Sequence, residues 1–261
     1  MPAPINAFKA ALRRGRCQIG LWLSLGDPSV AELASKTGFD WVVIDGEHGP
    51  NRLRDVLEQL RAVGDEAHPI VRLRDDNRAE IKQMLDIGAQ TILIPMIESG
   101  EQARQAVRAT RYPPQGVRGV APALARASGY GAIMDYIHTA NDQICLIVQV
   151  ETRAGIAALD DILAIDGVDG VFIGPLDLAA DMGHLGRPDA PEVQAVIDDA
   201  LGRIATAGKA SGLLATDPDQ GRDLISRGVD FLAVGIDVTT LRGALVDLRG
   251  RFDAGPDRAQ E

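Results

Sequence analysis

Apolar residues gather in eight short runs along the chain: Gln18–Leu23, Trp41–Ile44, Pro69–Leu73, Thr91–Met96, Ile144–Val150, Gly170–Ile173, Ser211–Ala215 and Phe231–Val234. Most are rich in Val, Ile or Leu. Between most of them lie stretches with helical periodicity, among them Arg52–Val63, Arg78–Ile87, Gly100–Ala109, Val193–Ala207 and Pro218–Arg227. Strand–helix alternation of this kind predicts parallel strands joined by crossover helices. Glycine stands shortly before many of the strands, at Gly38, Gly64, Gly88, Gly167, Gly208 and Gly228, where a helix C-terminus needs a residue that accepts the left-handed conformation. The steps GFD, GAQ and GVD recur before strands and suggest weak internal repetition of one βα unit.

Eight such units predict an α/β fold, a single-domain (β/α)8 TIM barrel over residues 1–252, with the polar stretch 253–261 as a flexible tail. The alternative is an open doubly wound sheet. That architecture usually opens on a glycine-rich first turn, whereas here the first strand runs into Leu23-Ser24-Leu25-Gly26-Asp27-Pro28. Two connections are long and irregular, Thr110–Gln143 and Met182–Ala190, and long loops in compact domains are usually functional or mobile.

In a barrel the chemistry sits where strands end, so the polar residues at those ends are the candidates. Trp22 closes the first strand, Asp45-Gly46-Glu47-His48 the second, and Arg72 lies in the third. Gln149-Val150-Glu151 closes the fifth, Gly174-Pro175-Leu176-Asp177 follows the sixth, and Gly235-Ile236-Asp237 the eighth. Side-chain alternation puts Val71 and Leu73 on one face and Arg72 on the other, and it separates Gln149 and Glu151 from Val148 and Val150 in the same way. Arg72, Glu151 and Asp45 are thus expected to face the barrel axis. Charges there are costly unless paired or coordinated.

Glu151 and Asp177 end successive strands, and two neighbouring carboxylates repel unless a proton or a cation lies between them. Hard oxygen ligands suit Mg2+ or Mn2+, with Co2+ or Zn2+ possible. The plainer alternative for Asp177 is a helix cap. Asp45 and His48 are candidates for a carboxylate–imidazole pair in acid/base work, against the plainer reading of a structural loop histidine. Arg72 is a candidate for stabilising an enolate oxygen.

Composition narrows the class. The 261 residues are 46% hydrophobic and 25% charged, an ordinary globular balance. A net charge of −10 argues against nucleic acid and against an anionic membrane surface. No secretory signal or spanning segment is read, and Cys17 and Cys145 suggest no disulfide framework, so a reducing cytoplasm is expected. Of the four lysines, Lys36 and Lys209 precede strands and Lys82 lies in a helix; none, Lys9 included, is placed for a Schiff base at the mouth.

The segments Gly20-Leu21-Trp22, Asp45-Gly46-Glu47-His48, Val71-Arg72, Tyr112-Pro113-Pro114-Gln115-Gly116-Val117-Arg118-Gly119, Gln149-Val150-Glu151-Thr152, Phe172-Ile173-Gly174-Pro175-Leu176-Asp177-Leu178 and Val234-Gly235-Ile236-Asp237 run from the first strand to the last. Together they closely resemble the class II, metal-dependent pyruvate aldolases typified by 4-hydroxy-2-oxoheptanedioate aldolase, within the superfamily that includes citrate lyase β-subunits. The resemblance implies a divalent ion on Glu151 and Asp177, Arg72 at the keto oxygen, and the Asp45–His48 pair in proton transfer. It implies a substrate site lined by Trp22, Gln149, Gly174, Pro175, Leu176 and Leu214, with backbone N–H groups near Leu176 and Asp177 taking the carboxylate. Leu176 departs from the smaller residue common in relatives. A homohexamer, with the last helix on a neighbouring subunit, is also implied.

The expected reaction is aldol addition and retro-aldol cleavage of 4-hydroxy-2-oxo acids, giving pyruvate or a related 2-oxo acid and an aldehyde through a metal-bound enolate. Two rivals stand beside it. One is an acyl-CoA lyase of the citrate lyase β-subunit type, with Arg111, Arg118 and Arg126 as a phosphate-binding patch beside the mouth. The other is a non-catalytic ligand-binding barrel.

Overall fold

The computed structural model describes residues 1–12 and 15–252. The predicted tail, 253–261, lies outside the described residues. Eight parallel strands close into a barrel in sequence order: β1 (Gln18–Leu23), β2 (Trp41–Asp45), β3 (His68–Arg72), β4 (Thr91–Ile94), β5 (Cys145–Val150), β6 (Gly170–Ile173), β7 (Ala210–Leu214) and β8 (Phe231–Ile236). β8 pairs with β1 to complete the ring. The fold is therefore the (β/α)8 barrel that the apolar pattern predicts.

Helices surround it. α1 (Ala7–Leu12) precedes the barrel, and α2 (Pro28–Ser35), α3 (Leu53–Val63), α4 (Arg78–Asp86) and α5 (Gly100–Thr110) follow the first four strands. α6 (Tyr136–Gln143) ends the long connection, and α7 (Arg153–Ala157) with α8 (Leu159–Leu163) follows β5. α9 (Pro175–Asp181) and α10 (Pro191–Thr206) follow β6, α11 (Pro218–Ser226) follows β7, and α12 (Asp237–Gly250) follows β8. Helix starts use ordinary chemistry: the Asp27, Asn77, Ser99 and Asp217 side chains each accept N–H groups of the first turn. The six glycines expected at helix ends all have positive φ, from 58° at Gly64 to 107° at Gly88.

Strand alternation divides the core in two. Val42, Ile44, Val71, Val148, Val150 and Val171 face outward to the helices. Trp41, Val43, Ile70, Leu93, Ile147, Phe172 and Phe231 fill the barrel interior. Space for two of the interior rings comes from missing side chains. A Cβ on Gly20 would lie 2.2 Å from the Trp41 ring, and one on Gly212 would lie 2.2 Å from Phe231. The interior is thus a packed core, and its polar upper end is where Asp45 and Arg72 stand opposite each other in register.

The bottom of the barrel is sealed by α1. Phe8 packs edge-on against Trp41 and Phe231 and stacks on the His68 ring at 5.6 Å. Asn6 donates to Thr91 Oγ1 and to the Gln143 carbonyl, tying the N-terminal segment to β4 and α6. The long connection after α5 also lies at this end: Arg126 donates to the Ile87 carbonyl, and the Asp135 N–H donates to the Met1 carbonyl. It joins a helix to a strand across the N-terminal face of the barrel and does not cover the mouth.

Burial pushes the His68 imidazole down to about 4, so it stays neutral in the fold while an unfolded histidine protonates near 6.5. Its contribution is fully present above that value and is lost as pH falls toward 4. Urea denaturation at pH 7, 5.5 and 4.5 should show a loss approaching about 1.4 kcal/mol per pH unit from this one group. His68→Gln should flatten that limb; an unchanged acid slope would show that His68 is not its source.

Candidate active site

Asp45 ends β2 at the top of the interior, 1% exposed. A carboxylate so placed needs donors, and five converge on it. Arg72 on the adjacent strand gives Nε to Oδ1 at 2.9 Å and Nη2 to Oδ2 at 2.7 Å. Trp22 on the other neighbour gives its indole N–H to Oδ2 at 3.1 Å. The backbone N–H groups of Glu47 and His48 close the turn onto Oδ1. Burial pushes the Asp45 carboxyl up, but the Arg72 bonds prevail and hold it below its ordinary value. The Arg72 guanidinium lies over the Trp22 ring at 4.7 Å from its centroid, which fixes its plane. Asp45 thus meets His48 through the backbone N–H, while its carboxylate is given to Arg72; the His48 side chain stands exposed at the mouth.

The third nitrogen of Arg72, Nη1, faces Glu47 Oε2 at 2.6 Å. Sequence reasoning assigned Glu47 no role. It follows the strand in a tight turn, so period two says nothing about its direction. Burial, with the negative charges of Asp45 and Asp177, holds its carboxyl above the ordinary value.

Glu151 follows β5, 2% exposed. Its Oε1 accepts the Met96 N–H at 3.0 Å and its Oε2 accepts from the Gln149 side chain. Met96 is a second residue missed from sequence. It adopts φ 55°, a left-handed conformation unusual for a side-chain-bearing residue, and its N–H donates to Glu151. Gly174 leaves the room Glu151 needs, since a Cβ there would lie 2.3 Å from its Oε2. Burial raises the Glu151 carboxyl to about 7, with the charges of Asp177 and Glu47 adding to it against the Gln149 and Met96 bonds.

Asp177 lies in the first turn of α9, whose N-cap is Gly174, and is exposed. Among the described residues no hydrogen bond ends on its carboxylate, so it is not spent as a helix cap. Its charge is felt by both Glu47 and Glu151, which brings the three acids to one mouth. No three His, Cys, Asp or Glu side chains among the described residues are grouped as a ready-made metal cage. Gln149 Oε1 is buried with no hydrogen-bond donor. Leu214 packs at the edge of the interior cluster, Pro175 is half-buried, and Leu176 is 57% exposed.

Other strand-end residues do structural work. Asp237 accepts the backbone N–H groups of Ser24, Leu25 and Val238, tying the loop after β1 to α12. Arg74 pairs with Glu80 at 3.1 Å. The three arginines considered as a phosphate patch lie away from the mouth. Arg118 is buried, bonded to Asp86 at 2.9 Å and stacked over Tyr112. Arg126 reaches the end of α4, and Arg111 lies against Gly167, ahead of β6. A cavity of about 960 Å3 also opens at that lower end, among Phe8, Asp40, His68, Arg126 and Tyr136, and holds none of the predicted site residues.

No helix of the described residues is long and apolar enough to cross a membrane. Comparison with known proteins finds relatives along nearly the whole chain. The chain is 54% identical over 256 residues to the hydroxypyruvate/pyruvate aldolase of Pseudomonas aeruginosa, covering 98% of this chain and 96% of that one. It is 53% identical over 248 residues to the 4-hydroxy-2-oxo-heptane-1,7-dioate aldolase of Klebsiella pneumoniae, covering 95% and 94%. A crystal structure of a family protein from Burkholderia cenocepacia superposes with a TM-score of 0.89 at 41% identity, covering 94% of this chain and 99% of that chain. Residues 18–244 match a single family description, and the chain belongs to the HpcH/HpaI aldolase/citrate lyase family.

Proposed function

We propose that this enzyme is a class II aldolase that joins pyruvate or a close 2-oxo acid such as hydroxypyruvate to an aldehyde, and cleaves the resulting 4-hydroxy-2-oxo acid. The observation that carries the reading is a buried guanidinium, fixed in plane and direction by Asp45 and Trp22, facing a mouth lined by three acids. An acidic site built around one oriented cation suits the stabilisation of a nascent enolate oxygen.

A divalent ion fits this donor set. Glu151 and Asp177 supply hard oxygens, Gln149 Oε1 is a buried acceptor in want of a donor, and a cation beside Glu151 would favour the charged form that burial disfavours. Glu151 and Asp177 would hold the ion, Mg2+ or Mn2+ by their chemistry with Co2+ or Zn2+ tolerated, leaving other positions to water and substrate oxygens. When bound it supplies Lewis-acid polarisation of the keto group.

The chain's own residues do the rest. Arg72 faces the keto oxygen as negative charge gathers there. His48, directly or through a water, removes a proton from the carbon next to the keto group, and the electron pair moves into the enolate. That carbon then bonds to the aldehyde carbon, and the same base returns its proton to the new alkoxide. Trp22, Gly174, Pro175, Leu176 and Leu214 line the substrate, and Gln149 orients Glu151. The thioester-lyase alternative lacks Arg111, Arg118 and Arg126 at this mouth.

We also read α12 as covered by a second copy of the chain. Leu241, Leu245, Val246 and Leu248 are each about half exposed along it. The finer expectation, a homohexamer, follows from the resemblance alone.

Excess chelator should abolish retro-aldol turnover and Mg2+ or Mn2+ should restore it; full activity in chelator would rule out the metal role. Arg72→Ala should lower kcat by about 100- to 1,000-fold, the usual cost of losing one oriented oxyanion partner. A rate near wild type would reassign Arg72. Replacing Leu241 and Leu245 together by Glu should shift the mass measured by light scattering toward the monomer, and an unchanged mass would place the subunit contact elsewhere.

A further inference from the structure

Glu47 is held against Arg72 in a way that Asp45 is not. Asp45 accepts two aligned bonds from the guanidinium and three more from Trp22 and the backbone, so it cannot move without dismantling the turn. Glu47 touches only Nη1. The contact is one of charge, at 2.6 Å, and Oε2 accepts no aligned hydrogen bond. The side chain is partly exposed at 17%, so it has somewhere to go. Yet each of the three guanidinium nitrogens has a carboxylate partner. An arginine so neutralised is poorly placed to draw a substrate oxygen.

We propose that Glu47 is a latch on Arg72: its carboxylate holds Nη1 and releases it when a divalent cation enters between Glu151 and Asp177. The inference rests on the metal reading of those two acids. Its physical basis is the change of sign at the mouth. Glu47 stands within the repulsive field of Asp45 and Asp177 and is kept in place by Arg72, with a smaller attraction from His48. A dication placed among these acids turns that repulsion into attraction and competes with Arg72 for Glu47. Nη1 then becomes available to the keto oxygen as the cation becomes available to the substrate. Glu47 acts through Arg72 and is a positioning residue.

The test is a binding cycle on the metal-free protein. Wild type and Glu47→Gln are titrated by calorimetry with Mn2+ alone, with pyruvate alone, and with pyruvate at saturating Mn2+. Trp22 fluorescence gives a parallel readout, because Trp22 lies under Arg72 and donates to Asp45; Trp22→Phe supplies the Trp41 background. Without metal, Glu47→Gln should bind pyruvate about two- to fivefold more tightly than wild type, the worth of one partly screened ion pair. Saturating Mn2+ should close that gap, so that the metal strengthens pyruvate binding more in wild type than in the variant. Equal strengthening in both proteins, with Mn2+ binding intact, would overturn the latch alone. Failure of wild type to bind Mn2+ would overturn the metal reading and the latch with it. Should the glutamine variant not melt cooperatively, Glu47→Ala takes its place with the same expected outcomes.

Discussion

The active end of this barrel is organised by one buried carboxylate. Asp45 sits where three strands meet the mouth, and a charge so enclosed is tolerated only when its lone pairs are met. Its two oxygens collect Arg72 from β3, the indole of Trp22 from β1 and the turn after β2. Three elements are thereby fixed relative to one another, and the guanidinium is held rigidly with one edge toward the mouth. Removal of that acid would leave Arg72 buried with its better partner gone, so the orientation of the cation and the shape of the turn stand or fall together.

Opposite this fixed cation the site gathers negative charge. Glu151, almost fully buried, is held by a strained backbone at Met96 and by the missing side chain of Gly174. A left-handed non-glycine residue costs free energy, and such a cost persists where surrounding structure over-determines it. Here the N–H of that residue donates to the carboxylate. Burial raises the Glu47 and Glu151 carboxyls, the charge of Asp177 adds to both, and the acids outnumber the single guanidinium. That imbalance is the reason a cation-binding reading explains the mouth better than a self-contained ion-pair network would.

Much of this was legible in the chain, for identifiable reasons. Period-two alternation put Arg72, Asp45 and Gln149 inside because each lies within a regular strand, where the rule holds. The glycines before strands marked helix ends because a positive φ is a strong local demand. What was not legible lies beyond the regular elements. Glu47 follows β2 in a turn, and its direction is decided by bonds from its own N–H to Asp45. Met96 acts through its backbone, to which side-chain chemistry gives no clue. Asp237 sits at a strand end like Asp45 but is consumed by loop N–H groups, and no pattern separates the two uses. Arg111, Arg118 and Arg126 could be placed only by knowing that their loop joins a helix to a strand, which puts it at the lower face.

That placement matters beyond the three arginines. The long connection, the N-terminal plug and the largest run of irregular chain all lie at the end of the barrel remote from the acids. They seal the interior with Phe8 and stack Arg118 on Tyr112, work that maintains the scaffold. At the mouth, by contrast, Leu176 and Met96 are exposed. Asp45, Arg72 and Glu151 lie deep in the mouth, while its rim sets the apolar Leu176 and Met96 beside the exposed His48 and Asp177. On the proposed aldolase reading, the deep groups would grip the 2-oxo acid, where charge develops, and the exposed rim would meet the aldehyde, which must leave in cleavage. Binding spent on the departing aldehyde would lower its escape without lowering the barrier, so weak contact with it at the rim would suit the proposed chemistry.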